Sequence, residues 1–280
     1  MKIAVIILHF GDLTTTRECL LKLAHRLTGH RLILVNNTLD DLSSLLKIIP
    51  DTILISNSTN LGFAQGVNRG INLALEDNTL THIYLLNNDL GFTMGNFSQL
   101  ELTFAKNVSA GIVSPILHHA KGYDWGGKYN KWTGMVKHKN WPNKPKTTLS
   151  VDHVAGAAML IKREVIEKVG LLDKRFFLYF EDLDYCLRAQ AAGFTIHINP
   201  DVVAEHTIST GSHVARRTLY QWRSHLQFVT KHLFRLTYPT AYLYDLFIYP
   251  LWLAGTVLER NSWLQAKKGS PAGERTVPNG

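Results

Sequence analysis

Cysteine is scarce, with only Cys19 and Cys186 in 280 residues. Each sits inside an apolar, helix-spaced pattern. This argues against a disulfide framework or a cysteine-rich metal site and points to small core residues in a reducing compartment. No G-x-x-x-x-G-K-[ST] string occurs, which argues against a P-loop, and no G-x-G-x-x-G follows the first strand-like run, which argues against a standard dinucleotide fold. Internal repeats are absent too. Met1-Lys2 leads straight into a short apolar run with no cleavage site, so a secretory leader is not expected and the chain is expected in the cytoplasm. Acids are the minority charge, 22 against 30 Lys and Arg, and the net charge of +8 predicts an anionic partner. The cations gather in a Trp-rich stretch and near the C-terminus without a nucleic-acid module, so nucleic acid is not that partner.

What is present is a regular alternation. Apolar, β-rich runs at residues 3–8, 32–35, 52–55, 83–86 and 110–116 are separated by helical patterns at 13–27, 41–48, 63–75 and 96–106. Such alternation predicts an α/β domain with a mostly parallel central sheet flanked by helices and ligands at the strand carboxyl ends. Polar clusters fall at those ends: Asn36-Asn37, Asn57 to Asn60, and Asn87-Asn88-Asp89. The pattern dissolves over 118–150, where Trp125, Trp132 and Trp141 accompany Gly126, Gly127 and several lysines. This stretch reads as a long loop or twisted hairpin over the site. Strand-like 157–161, a helix at 163–169, a helix opening at Glu181-Asp182-Leu183-Asp184, and a strand pair at 195–198 and 202–204 ending in His206 complete the domain.

Several of these stretches point to chemistry. In Asn60-Leu-Gly-Phe-Ala-Gln-Gly-Val-Asn-Arg-Gly70, Gly62 and Gly66 allow close backbone approach to a ligand at a helix N-terminus, while Asn60 and Asn68 offer amides to a base or sugar. Close helix–sheet packing is the lesser alternative for the glycines. Asp89 at a strand end suits a hard divalent cation, and His206 suits a second ligand, although Asn and Asp are also common turn residues there. Three acids behind the aromatic run Phe176 to Phe180 exceed what helix capping requires, and a carboxylate held against apolar rings is a candidate general base. Trp125 with Gly126 and Gly127 offers an aromatic face to an acceptor sugar, with ordinary loop packing as the rival.

Taken in order, these motifs resemble the family 2 glycosyltransferases of the GT-A fold, in their rhamnosyltransferase-like branch. The resemblance rests on Asn36-Asn37-Thr38, N-x-G-F-A-x-G-x-N-x-G, Leu86-Asn-Asn-Asp89, Gly156-Ala-Ala-Met-Leu-Ile-Lys-Arg163, Val169-Gly-Leu-Leu-Asp173, Glu181-Asp-Leu-Asp-Tyr-Cys-Leu-Arg188 and His206, and it covers roughly residues 1–212. It implies an inverting transferase that uses a nucleotide-diphospho-sugar. Asp182 would be the base, with Glu181 as its substitute and Asp184 serving the helix terminus. Asp89 and His206 would hold Mg²⁺ or Mn²⁺. Donor contacts would come from Asn36, Asn37, Asn60, Gly62, Phe63, Gly66, Asn68, Asn87 and Asn88. The donor implied is dTDP-rhamnose; a UDP-hexose, UDP-N-acetylhexosamine or UDP-galactofuranose donor is the alternative within the class, and a non-catalytic sugar-nucleotide or glycan-binding protein the alternative outside it. The acceptor would be lipid-linked or an oligosaccharide. Two positions depart from the family: Asn36 stands where an Asp commonly binds the base, and Asn87 replaces the first acid of D-x-D.

The expected layout is a nucleotide-sugar half over 1–117 and an acceptor half over 118–212. Basic and amphipathic helices would occupy 213–260, and a disordered tail 261–280. Residues 238–258 are strongly apolar and approach the ~20 residues of a bilayer span. Asp245, Pro250 and the scattered aromatics favour a helix lying on the inner face of the membrane over a packed tail or a true span. Self-association remains compatible with this layout.

Overall fold

The structure, a computed structural model, describes residues 1–120, 122–206, 214–247 and 250–251. Strands β1 (Ile3–His9), β2 (Arg31–Asn36), β3 (Ile53–Ser56) and β4 (His82–Asn87) form a parallel block in the order β3-β2-β1-β4. The period-two alternation of β1 explains its central place. Ala4, Ile6 and Leu8 enter the core on one face of the sheet, while Ile3, Val5 and Ile7 enter the core on the other. Helices α1 (Leu13–Leu23), α2 (Ser43–Leu46) and α4 (Phe97–Lys106) cover the second face through Leu20, Leu23, Leu45, Phe97 and Leu100. Helices α3 (Gly62–Leu75), α5 (Arg163–Val169) and α6 (Glu181–Ala191) cover the first through Val67, Ile71, Val165, Ile166, Tyr185 and Ala189.

Beyond β4 the sheet is mixed, so the expected mostly parallel character holds only for its first half. Strand β10 (Ala158–Lys162) runs antiparallel to both β4 and β6 (Ala110–His119), and β6 pairs in parallel with β11 (Thr195–His206). The edge strand β5 (Leu90–Met94), not expected from the sequence, pairs antiparallel with β11. Phe92 on β5 joins an aromatic cluster with Tyr84 and Phe97 at 6.2 and 5.7 Å. The expected strand pair at 195–204 is a single bulged strand. Both halves of β11 pair with β6 in the same direction, and the register shift between Asn199 and Val203 absorbs Pro200, which has no N–H to donate.

The Trp-rich stretch is a hairpin, β7 (Gly122–Tyr129) and β8 (Val136–Trp141), followed by β9 (Leu149–Val151) at the edge of β11. Helix α7 (Val214–His232) packs back on the domain: Phe228, Val229 and Leu233 form a core with Phe176 and Leu183, joined by Ala241. The expected boundary near residue 212 is therefore not a separation in space. Among the described residues no helix is long and apolar enough to cross a membrane. Residues 252–280, including the expected disordered tail, lie outside the described residues.

Candidate active site

The carboxyl end of the parallel block is built on asparagine. Asn37, 2% exposed, donates to Asn60 Oδ1 at 2.8 Å and to the Gly62 carbonyl at 3.2 Å, and accepts from Asn57 Nδ2 and the Leu61 N–H at 3.1 and 3.0 Å. The ends of β2 and β3 and the start of α3 are thereby tied together. Asn36 is also committed: Nδ2 donates to the Asp40 carbonyl, and Oδ1 accepts from the Thr38 N–H and hydroxyl. Asn68 makes a two-way pair with the Leu172 backbone at 2.7 and 3.1 Å, and Asn88 donates to the Phe10 carbonyl and Thr16 Oγ1. The expected donor-reading side chains Asn36, Asn37 and Asn68 are thus each engaged within the protein. Their hydrogen-bonding groups hold the loops, because buried amides have to be satisfied.

The glycines of α3 act in the same way. Gly62 has φ +77°, and any Cβ there would collide with the Phe177 carbonyl, which accepts from the Phe63 N–H at 2.8 Å. A Cβ on Gly66 would meet Leu8 at 2.7 Å. Phe63 lies half-buried against the core, with its ring 3.4 Å from the position of a Cβ on Gly156. The sequence reading missed Asp40. Its exposed carboxylate at this edge is held low by the Thr38 hydroxyl and then by His9, whose Nε2 is 3.3 Å away.

At the end of β4, Asn87 N–H donates to the Ala157 carbonyl at 2.9 Å, which ties this strand end to the Gly156-Ala157 segment. Asp89 Oδ1 lies 3.4 Å from His206 Nε2, so the structure brings together the two residues expected at a metal. That oxygen is buried and has no aligned hydrogen-bond partner. An oxygen and an imidazole nitrogen converging with an unused lone pair suit a divalent cation completed by phosphate oxygens. Among the described residues no third His, Cys, Asp or Glu joins them. Cys19 packs nearby, and burial followed by the Asp89 charge pushes its thiol up to about 12.

The second centre is the start of α6. Tyr179 and Phe180 both have φ 70°, a left-handed conformation that bulky side chains avoid, and they turn the chain into Glu181. Helix α7 holds this turn. Arg217 Nε donates to Tyr179 Oη at 2.9 Å, Ser224 Oγ donates to the Leu178 carbonyl at 2.9 Å, and the Phe180 ring lies tilted against that of Phe228 with centroids 5.4 Å apart. Asp182 Oδ2 accepts from the Gly156 N–H at 2.9 Å, Oδ1 accepts from the Leu183 N–H at 2.8 Å, and His153 Nε2 stands 3.3 Å from Oδ1. Burial alone would raise this carboxyl, but His153 and the two N–H groups outweigh it and bring it to about 2.

Glu181 is 5% exposed, its Oε2 has no hydrogen-bond partner, and burial followed by the Asp182 charge pushes its carboxyl well up. This places it in an environment opposite to that of its neighbour Asp182. The expectation for Asp184 is corrected. Rather than serving the helix terminus, it is fully buried among Arg188 Nε at 2.9 Å, His232 Nε2 at 2.6 Å and Lys231 Nζ at 2.5 Å. Arg188 also donates to the Val169 and Leu171 carbonyls and is structural.

On the hairpin, Trp125 Nε1 donates to the Asn143 carbonyl, and its ring lies 5.8 Å from that of Trp141, which is 51% exposed. Gly126 and Gly127 are buried, with ideal Cβ positions 2.8 Å from Ile198 and 2.0 Å from Val136, so they serve close packing and present no surface to an acceptor.

Residues 144–235 match the family described as "Glycosyltransferase like family 2". Several curated proteins are similar, three of them as follows. The low-salt glycan biosynthesis hexosyltransferase Agl10 of Haloferax volcanii is 27% identical over 52% of this chain and 48% of its own length. The dTDP-rhamnosyl transferase RfbF of Shigella flexneri is 25% identical over 63% of this chain and 59% of its own. The N-acetylglucosaminyl-diphospho-decaprenol L-rhamnosyltransferase of Mycobacterium tuberculosis is 26% identical over 59% of this chain and 64% of its own. The chain thus spans about half to two-thirds of the length of the curated relatives it matches. A solved mannosyltransferase from Pyrobaculum calidifontis, in complex with GDP-Man and Mn²⁺, superposes with a TM-score of 0.58 at 16% identity over 97% of this chain and 76% of that one, which shows a shared GT-A-like α/β fold. The chain is thus similar to family 2 glycosyltransferases over residues 144–235, and rhamnosyltransferases are among the curated proteins it resembles.

Proposed function

We propose that the protein transfers a sugar with inversion from a nucleotide-diphospho-sugar, dTDP-rhamnose by preference, to a hydroxyl of a lipid-linked or oligosaccharide acceptor. The observation that carries this reading is the placement of Asp182 and the Asp89–His206 pair at either end of one linked segment. Gly156 N–H holds Asp182, and the adjacent Ala157 carbonyl holds the strand end at Asn87. A donor lying across that segment has its diphosphate by Asp89 and His206 and its anomeric carbon toward Asp182. One positioned, ionised carboxylate suffices to take the acceptor hydroxyl proton in a single displacement. Asp89 and His206 would hold Mg²⁺ or Mn²⁺, which neutralises charge on the leaving diphosphate when bound. The names of the relatives support rhamnose and a lipid-diphosphate acceptor.

The basic helix α7 and the apolar surface after it support peripheral contact with the inner face of the membrane. In this reading residues 1–117 form the donor half and 118–212 the acceptor half. Trp125, with the exposed Trp141 beside it, forms the acceptor wall.

A thermal-shift screen of dTDP-, UDP- and GDP-sugars with Mn²⁺ tests the donor. A bound nucleotide at 100-fold its Kd adds about 2.7 kcal/mol of stability, and the largest shift is expected with dTDP-rhamnose. Asp182→Asn is expected to keep that shift and to lose transfer. Near-normal turnover would remove Asp182 as the base, and no shift with any nucleotide sugar would remove the reading.

A further inference from the structure

We propose that His153 is the positioning residue of Asp182, holding the base ionised and aimed, with Asp124 and His138 of the β7–β8 hairpin forming a supporting pair behind it. This rests on the reading of Asp182 as the base. His153 follows β9 and is 5% exposed, yet neither ring nitrogen has an aligned hydrogen-bond partner. A buried imidazole ordinarily fixes its tautomer through at least one such bond. Here its strongest polar contact is the 3.3 Å approach of Nε2 to Asp182 Oδ1. The other side of the ring is confined by the hairpin. A Cβ at Gly127 would lie 3.2 Å from Nδ1, and the Gly127 N–H donates to the His153 carbonyl at 3.0 Å.

The His138 ring meets that of His153 edge-on at 5.1 Å, and His138 Nδ1 is 2.9 Å from Asp124 Oδ2. Burial alone would lower His138, but the Asp124 hydrogen bond and the charges of Asp124 and Asp182 raise it. The titratable groups facing Asp182 are His153, His138 beyond it, Glu181 beside it and the Cys186 thiol. Glu181 is disposed toward its neutral form and the Cys186 thiol is pushed up by burial, so His153 is the group able to offset the burial of this carboxylate directly. Each Asp182 oxygen already accepts one backbone N–H, so a side-on imidazole leaves the remaining lone pairs to an acceptor hydroxyl.

The test uses the full-length protein with ¹³C-labelled aspartate, the Asp182 carboxyl resonance being assigned by its loss in Asp182→Asn. In the wild type the resonance stays that of the ionised form down to acid unfolding. In His153→Phe its midpoint is expected to rise by about 1–3 pH units, the range for loss of an adjacent opposite charge. His153→Gln, which keeps an uncharged donor, is expected to fall between the two and decides the matter if the Phe variant does not fold. His138→Phe should move the midpoint less than His153→Phe. An unmoved midpoint in the His153 variants overturns the proposal. The titration needs no donor, so the two readings fail separately. A shifted resonance in a protein that turns over no nucleotide sugar defeats only the transferase reading. Sugar transfer with an unmoved resonance defeats only the role of His153.

Discussion

Glu181 and Asp182 are adjacent in the chain, yet their environments push their carboxyls in opposite directions. Asp182 gains His153 and two backbone N–H groups, whereas for Glu181 burial and the repulsion of its neighbour outweigh a single backbone hydrogen bond. A folded-state pKa below the unfolded ~3.9 means that Asp182 contributes stability above that pH, and loses it as pH falls toward about 2. For Glu181 the sign reverses. Its folded pKa lies above the unfolded ~4.3, so its relative contribution is fully present below that pH and erodes as pH rises toward the folded value. Glu181→Gln is therefore expected to melt at a temperature that gains on the wild type between pH 5 and pH 8. A constant Tm difference across that range would show that Glu181 is ionised in the folded protein.

At the scale of elements, the start of α6 is held by α7. Two consecutive left-handed aromatic residues, each of which costs of order 1–3 kcal/mol, persist only where the surroundings over-determine them. Arg217, Ser224 and Phe228 provide that restraint, and Asp184 with Lys231 and His232 locks the two helices one turn further on. Phe228 is fully buried between Phe180 and Tyr129, at 5.4 and 5.9 Å. Phe228→Ala is expected to lower stability by about 3–5 kcal/mol in urea unfolding. It should also reduce transfer under conditions where the variant remains folded, because the turn that presents Asp182 loses its support. Unchanged stability would show α7 to be an appendage. The helices were readable because each buries one face of its periodic pattern, and the first strands because continuous apolar runs mark strands set inside the sheet with helices on both sides. Strand β5 and the continuity of β11 were not, since a short edge strand after Asn87-Asn88-Asp89 and a bulge at Pro200 look like turns until the partner strand is known. The acidic cluster stood out in the sequence. The histidine beside Asp182 did not, because His153 is 29 residues upstream on another element.

Across the whole molecule, the apolar segment after α7 divides into two faces. Ala241 and Asp245 are buried, with Asp245 Oδ1 2.6 Å from His225 Nδ1, while Leu243, Leu246, Phe247 and Leu251 are 53–68% exposed. The acid that weighs against a bilayer span is therefore an internal partner of α7, and the apolar side chains left outside form a surface suited to lipid. With a net charge of +8, the full-length protein is expected to co-sediment with vesicles containing anionic lipid, and less so at high salt. A Leu243→Glu, Leu246→Glu, Phe247→Glu triple variant should stay in the supernatant; equal sedimentation would place the contact elsewhere.

The sequence by itself determined the α/β alternation, the polar ends of the parallel strands, and the two acidic positions, Asp89 and Asp182, at which chemistry is expected. These depend on local periodicity and on where polar and acidic residues fall along it. Tertiary structure alone decided which polar groups remain available. Most of the asparagines are consumed by one another or by backbone, and Gly126 and Gly127 are packed shut. Glu181 is driven toward its neutral form. Asp182 is left ionised because a histidine from another strand end stands beside it, and that depends on burial and contact, which no linear pattern records.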